Sequence, residues 1–240
     1  RAYLTEYQEK HGSSRVTIDN IRRILSSFFS WLEDEDHILK SPVRRIHKVK
    51  TATNIKETYT DEELEKMRDN CTELRDLAMI DLLYSTGIRV GELVNLNIAN
   101  VDFERRECVV YGKGDKERRI HIGNDSVSQI MEEYKAEFQA EIKSCNHFFA
   151  NQNGKPLSDQ AVRRMINKYC SLSGIDLHIT PHMFRHTFAT SLLEADVDIR
   201  YIQEMLGHSS INVTEIYTHV TTAKQRDILI SKHPRKDFRI

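Results

Sequence analysis

The sequence predicts a mainly α protein with one small antiparallel β-sheet, and three features carry that expectation. Apolar residues recur at Ile18, Ile21, Leu25, Phe28 and Leu32, the 3,4-spacing of one helix face, with Phe29 and Trp31 widening the stripe. Two short strand-like runs, Glu107 to Tyr111 and Arg118 to Ile122, flank Gly112-Lys113-Gly114-Asp115-Lys116, which is hairpin turn chemistry. Several helix starts carry their caps in the sequence, most plainly Thr180-Pro181, a cap followed by a proline at the first helical position.

In chain order, the first helical segment covers residues 15–37 and is closed by Ser41-Pro42, because proline removes a backbone donor and restricts the residue before it. Residues 1–50 form a first domain too short to bury much core alone. Residues 51–58 have no periodicity and read as a linker. Thr60-Asp61-Glu62-Glu63 is a capping box that opens a second domain, 59–240. A helix from Leu74 to Thr86 is stopped by Gly87, suited to a left-handed position after a helix end. Arg89 follows, with a new turn at Val90-Gly91-Glu92. After the hairpin, helices are expected at 125–141, 159–172, 182–193, 199–206, 211–218 and 222–231.

Composition excludes several classes. The chain has 39% hydrophobic and 30% charged residues, which is ordinary for a folded globular protein. No apolar run approaches the roughly 18 residues of a membrane span, and no signal peptide is visible, so a cytoplasmic location is expected. The chain starts at Arg1 rather than Met and reads as part of a longer protein. Cys71, Cys108, Cys145 and Cys170 are widely spaced with no Cys-x-x-Cys pair, consistent with reduced thiols. A zinc site from His178, His182 and His186 is disfavoured by the absence of a glutamate at 183 and by Arg185 beside them. The net charge of −1 argues against a uniformly basic nucleic-acid binder. Placement differs from the sum, because Lys40, Arg44, Arg45, Lys48, Lys50 and Lys56 lie in a run with no acid that suits a phosphate backbone.

The last quarter carries the chemistry. His182-Met183-Phe184-Arg185 opens one helix, Leu206-Gly207-His208 closes the next, and Tyr217 follows. A phenol can act as a nucleophile on a phosphodiester and keep the bond energy as a phosphotyrosine. Arg89 and Arg185 can each fork two N–H donors onto non-bridging oxygens, a geometry lysine cannot reproduce. With Lys113 on the hairpin, the ordered set Arg89, Lys113, His182, Arg185, His208 and Tyr217 resembles the six-residue catalytic motif of the tyrosine recombinases, the phage-type integrase family. The resemblance covers about residues 59–235.

That resemblance implies a mixed α+β catalytic domain preceded by part of a helical core-binding domain. It implies site-specific DNA strand exchange through a 3′-phosphotyrosine and a Holliday junction, integrating or excising a mobile element or resolving chromosome dimers. Tyr217 would be the nucleophile and Lys113 the general acid, with Lys116 as its neighbouring rival. His182 would assist proton removal from the tyrosine, and His208 would donate to a phosphate oxygen. Glu92 would orient Arg89, while Arg44, Arg45, Lys48 and Lys50 would bind DNA. No metal or other cofactor is implied. The implied partners are double-stranded DNA bearing a recombination site, three further copies in a tetramer exchanging the tail 221–240, and an accessory excisionase or bending protein. Tyr201, in the pattern Ile199, Ile202, Leu206, reads as a packing residue. The other classes are a type IB topoisomerase that relaxes DNA, and a DNA-binding regulator using helices 159–172 and 182–193.

Overall fold

Local capping chemistry sets most of the helix starts. The computed structural model describes residues 1–49, 58–112, 114, 116–123 and 125–207, which divide into two compact units, Arg1–Lys56 and Glu57–Ile240.

The first unit holds α1 (Ala2–His11) and α2 (Arg15–Asp34). Ser14 caps α2 by accepting from the Thr17 amide at 3.1 Å. The helix ends at Asp34, three residues short of the expected 37 and well before Pro42. The stop is made by backbone rather than by proline: Asp36 adopts φ 58°, and the His37 amide returns to the Leu32 carbonyl at 2.9 Å. Of the apolar stripe only Ile18 is fully buried, and Phe28 and Trp31 are half exposed. The basic run that follows is tied down, with the Ser41 amide on Glu33 Oε2 at 3.0 Å and the Val49 amide on buried Asp19 Oδ1 at 3.0 Å. Arg44, Arg45 and Lys48 are exposed along it; Lys50 and Lys56 lie outside the described residues.

In the second unit Thr60 forms a complete capping box with Glu63 and starts α3 (Asp61–Asp69). Next comes α4 (Leu74–Thr86), whose Met79, Ile80, Leu82 and Leu83 are almost wholly inaccessible. It ends at Gly87, φ 59°, as its sequence predicts. A single-turn α5 (Val90–Val94) leads through a 3-10 turn to a sheet of three strands, β1 (Val101–Asp102), β2 (Glu107–Tyr111) and β3 (Glu117–His121). All pairings are antiparallel in the order β1-β2-β3, with Val110 opposite Arg118. The expected hairpin is present one residue earlier on its second strand. The two-residue β1 has too little pattern to be read from sequence.

The expected helix at 125–141 is two, α6 (Asp125–Glu137) and α7 (Gln139–Cys145). Phe138 breaks it, its ring 4.9 Å from that of Tyr134, and Ile142 beyond turns into the core. Then follow α8 (Asp159–Leu172), α9 (Pro181–Glu194) and α10 (Ile199–Leu206). The core sits where α4 packs against α6 and α9. A separate small cluster of Ala189, Ile202 and Leu206 joins α9 to α10. The architecture is thus mainly α with a small antiparallel sheet. Among the described residues no helix is long and apolar enough to cross a membrane.

Candidate active site

Gly87 begins the site. With φ 59° it turns the chain out of α4, and a Cβ there would lie 2.7 Å from the Phe188 ring and 3.0 Å from Leu206 Cδ2. Arg89 therefore emerges where α4, α9 and α10 converge. Its own turn fixes it: Glu92, in the first turn of α5, accepts from the Arg89 amide (Oε2, 3.0 Å) and from its guanidinium (Oε1, 2.8 Å). The Glu92 side chain is only 4% exposed, whereas Arg89 is 36% exposed.

Arg185 is positioned from α9, whose start Thr180 caps and Pro181 begins. It is 6% exposed, donating to the Gly87 carbonyl at 2.7 Å and to the Leu206 carbonyl. It is thus a buried strut between two helix C-termini, where positive charge is favoured by the helix dipoles.

A third guanidinium completes the arrangement. Arg118 of β3 donates to Glu92 Oε2 and to the Met205 carbonyl. Arg89 in turn reaches the Gly207 carbonyl at 3.2 Å. Three consecutive carbonyls at the end of α10, those of Met205, Leu206 and Gly207, therefore each accept from a different arginine. Burial opposes ionisation of Glu92, yet the Arg89 amide, the Arg118 charge and both guanidinium hydrogen bonds outweigh it, holding its carboxyl below the ordinary range.

Beside this frame lies an open cleft of about 380 Å³. Arg89, Glu92, His182 and Arg185 line it together with Tyr111, Gly112 and Arg163. The N-terminal turns of α8 and α9 also reach it, through Asp159 and Pro181. Two helix N-termini and three arginines make a setting suited to an anion, with Asp159 and Glu92 as the opposing charges. The structure thus brings together four of the sequence-predicted residues: Arg89, Glu92, His182 and Arg185. His182 is exposed at the cleft wall. Lys113, His208 and Tyr217 lie outside the described residues, although Gly112, which adjoins Lys113, belongs to the cleft, and Gly207, which adjoins His208, to the arginine frame. Tyr201 is not a core packing residue: it is 64% exposed, while Ile202 and Leu206 are buried on the other face of α10.

Sequence reasoning missed Arg118 and Arg163. Arg118 had a readable signal, since it alternates in phase with buried Ile120 and so occupies an inward slot of its strand. Arg163 had none, because only the tertiary fold carries α8 to the cleft.

The phage integrase family's sequence model matches residues 57–224. A tyrosine recombinase of Agathobacter rectalis is 71% identical over 165 residues, covering 69% of this chain and 54% of that protein, so the match spans about half of that relative. Tyrosine recombinase XerC of Oceanobacillus iheyensis is 36% identical over 244 residues, covering 98% of this chain and 80% of that one. Among solved structures, the XerH site-specific recombinase bound to a palindromic difH substrate in a post-cleavage complex superposes with a TM-score of 0.80 at 25% identity, over 96% of this chain and 70% of that one. Shared family sequence and shared fold agree with the clustering of Arg89, His182 and Arg185 in one cleft: the chain belongs to the phage integrase family, the tyrosine recombinases, which are site-specific recombination enzymes.

Proposed function

We propose that this chain cuts and rejoins double-stranded DNA at a defined site, with Tyr217 attacking the scissile phosphate to form a 3′-phosphotyrosine. The observation that carries the reading is the convergence of Arg89 and Arg185, remote in sequence, on one cleft bordered by two helix N-termini. A phosphorane gathers negative charge on its non-bridging oxygens, and preorganised guanidinium donors stabilise that charge. Arg89 is held ready by Glu92, so little reorganisation is needed when the phosphate arrives. His182, exposed at the wall, takes part in removing the tyrosine proton. Lys113 protonates the leaving 5′-oxygen, and His208 donates to a phosphate oxygen.

The family resemblance extends the reading to the finer steps. Exchange between two duplexes passes through a Holliday junction, within a tetramer joined by the tail 221–240 docking in a neighbour. Arg44, Arg45, Lys48 and Lys50 contact the backbone. The biological outcome is movement of a mobile element or resolution of chromosome dimers, with an excisionase or bending protein as an accessory. Support for DNA as the substrate comes from the XerH neighbour, which is bound to its difH substrate.

The test begins by selecting bound duplexes from a randomised pool and nicking the selected duplex near its centre, so that cleavage is trapped. The wild-type chain is expected to form a denaturant-resistant DNA adduct. Tyr217→Phe, which loses only the hydroxyl, is expected to bind the same duplex without any adduct. An adduct persisting in Tyr217→Phe would remove Tyr217 as the nucleophile.

A further inference from the structure

We infer that Arg118 is a positioning residue for strand cleavage, acting on the phosphate-gripping side of the site through Glu92 and the end of α10. The inference rests on the strand-transfer reading above. Arg118 is not among the residues lining the cleft, so its effect passes through its neighbours.

Four observations point to this role. The strand register places Arg118 opposite Val110, at the root of the hairpin, and its inward phase puts a guanidinium where a strand ordinarily buries an apolar group. Its side chain is 12% exposed, and its Nε is buried without a partner. A charge so placed is costly unless its partners are fixed, which makes a purely decorative role physically expensive. The second observation is the sharing of Glu92. One carboxylate oxygen holds the Arg89 guanidinium, and the other takes both the Arg89 amide and Arg118. Glu92 therefore cannot rotate away from Arg89 without also releasing Arg118.

The third observation is steric. Gly207 has φ 62°, and a Cβ on it would lie 2.8 Å from Arg118 Cδ and 3.1 Å from Nε. The end of α10 is shaped around this side chain. The fourth is the sequence of carbonyls: Met205 is held by Arg118, Leu206 by Arg185 and Gly207 by Arg89. Arg118 is thus the member of a three-arginine frame that does not line the cleft, and it holds the same short segment that the other two hold. A planar fork can reach Glu92 with one nitrogen and the Met205 carbonyl with the other. A lysine ammonium supplies the charge without that span.

The duplex selected and nicked as above serves as the probe. Single-turnover adduct formation and DNA affinity are measured at a temperature where circular dichroism shows each variant folded. Arg118→Gln is expected to slow adduct formation about 100-fold, the loss that a shift of about 1 Å in a supporting residue produces, with DNA affinity changed by less than about 3-fold. Arg118→Lys, which can still reach Glu92, is expected to recover about 10-fold of that loss. A 5′-bridging phosphorothiolate, whose thiolate departs without a proton, is expected to leave the Arg118→Gln defect in place.

Adduct formation at the wild-type rate in folded Arg118→Gln overturns the inference. So does rescue by the phosphorothiolate, which would place the effect on leaving-group protonation by the hairpin, and so does an equal loss of affinity and rate. If Arg118→Gln does not fold, Arg118→Lys decides, because a wild-type rate in that variant equally overturns the inference. A wild-type chain that forms no adduct overturns the strand-transfer reading itself, an outcome separate from all of these.

Discussion

Arg185 and Arg89 reach the same cleft under opposite conditions. Arg185 rises from α9 within the packed unit, 6% exposed, spanning the carbonyls that end α4 and α10. Arg89 stands just outside α4, 36% exposed, leaning on the Glu92 carboxylate and the Gly207 carbonyl. One guanidinium is part of the scaffold and the other is mounted on it. The contrast teaches that a shared chemical assignment does not imply a shared structural burden. Removing Arg185 strips a cation from two helix C-termini, whereas removing Arg89 leaves Glu92 still paired with Arg118.

The sharpest way to break this contrast is to compare the two alanine variants. Arg185→Ala should cost about 3 kcal/mol in denaturant unfolding, because buried carbonyls lose their donor. Arg89→Ala should cost about 1 kcal/mol, as expected for a partly exposed pair. Both should abolish adduct formation. Equal losses of stability would mean that Arg89 is as structural as Arg185.

A smaller effect sharpens the contrast at the shared end of α10. Gly207→Ala combines a left-handed φ of 62° with a Cβ driven against the Arg118 stem. It should cost about 1–2 kcal/mol in a thermal melt. Gly91→Ala, in a helical turn where the Cβ would meet nothing within 4 Å, is the contrasting control and should be neutral or stabilise by up to about 1 kcal/mol in the same melt.

The smallest effect is in pH. The folded state holds the Glu92 carboxyl below its ordinary 4.5, so the resulting stability is fully present above that value. It is lost as pH falls from 4.5 through the depressed folded value. Glu92→Gln should therefore flatten the decline of unfolding free energy below pH 4.5. An unchanged acid limb in that variant would show that Glu92 does not hold Arg89 in solution.

Much of the fold was legible where the cause is local. Thr60 with Glu63, Gly87 after α4, and Thr180-Pro181 before α9 each satisfy backbone groups within a turn of themselves, so the sequence carries the whole interaction. Arg185 stood out beside His182 on one helix face, and Arg89 through the resemblance of the ordered six-residue set to the family motif. What sequence could not carry is partnership across the fold. The break at Phe138 depends on where Tyr134 and Ile142 find their core, and β1 exists only because β2 pairs with it. The inward phase of Arg118 was readable, but its acceptors, Glu92 and the Met205 carbonyl, were not, because they come from segments far away in the chain. Amphipathic spacing in α2 marked a helix correctly but overstated its burial, since Phe28 and Trp31 remain half exposed.

The three arginine-held carbonyls at Met205, Leu206 and Gly207 have a consequence for how this fold can change in length. Each added or deleted helical residue rotates everything after it by about 100° and moves it about 1.5 Å along the axis. A single-residue change within α10 would hand each arginine the wrong carbonyl and aim the chain differently as it runs on to His208. Insertions and deletions should therefore be excluded between Val197 and Gly207. They should collect instead in exposed turns such as 104–106 and 152–153, where the backbone can bulge without disturbing any helix register. Across descendants of this sequence, the short helix α10 would behave as a fixed-length ruler between α9, which carries Arg185, and the chain that follows Gly207.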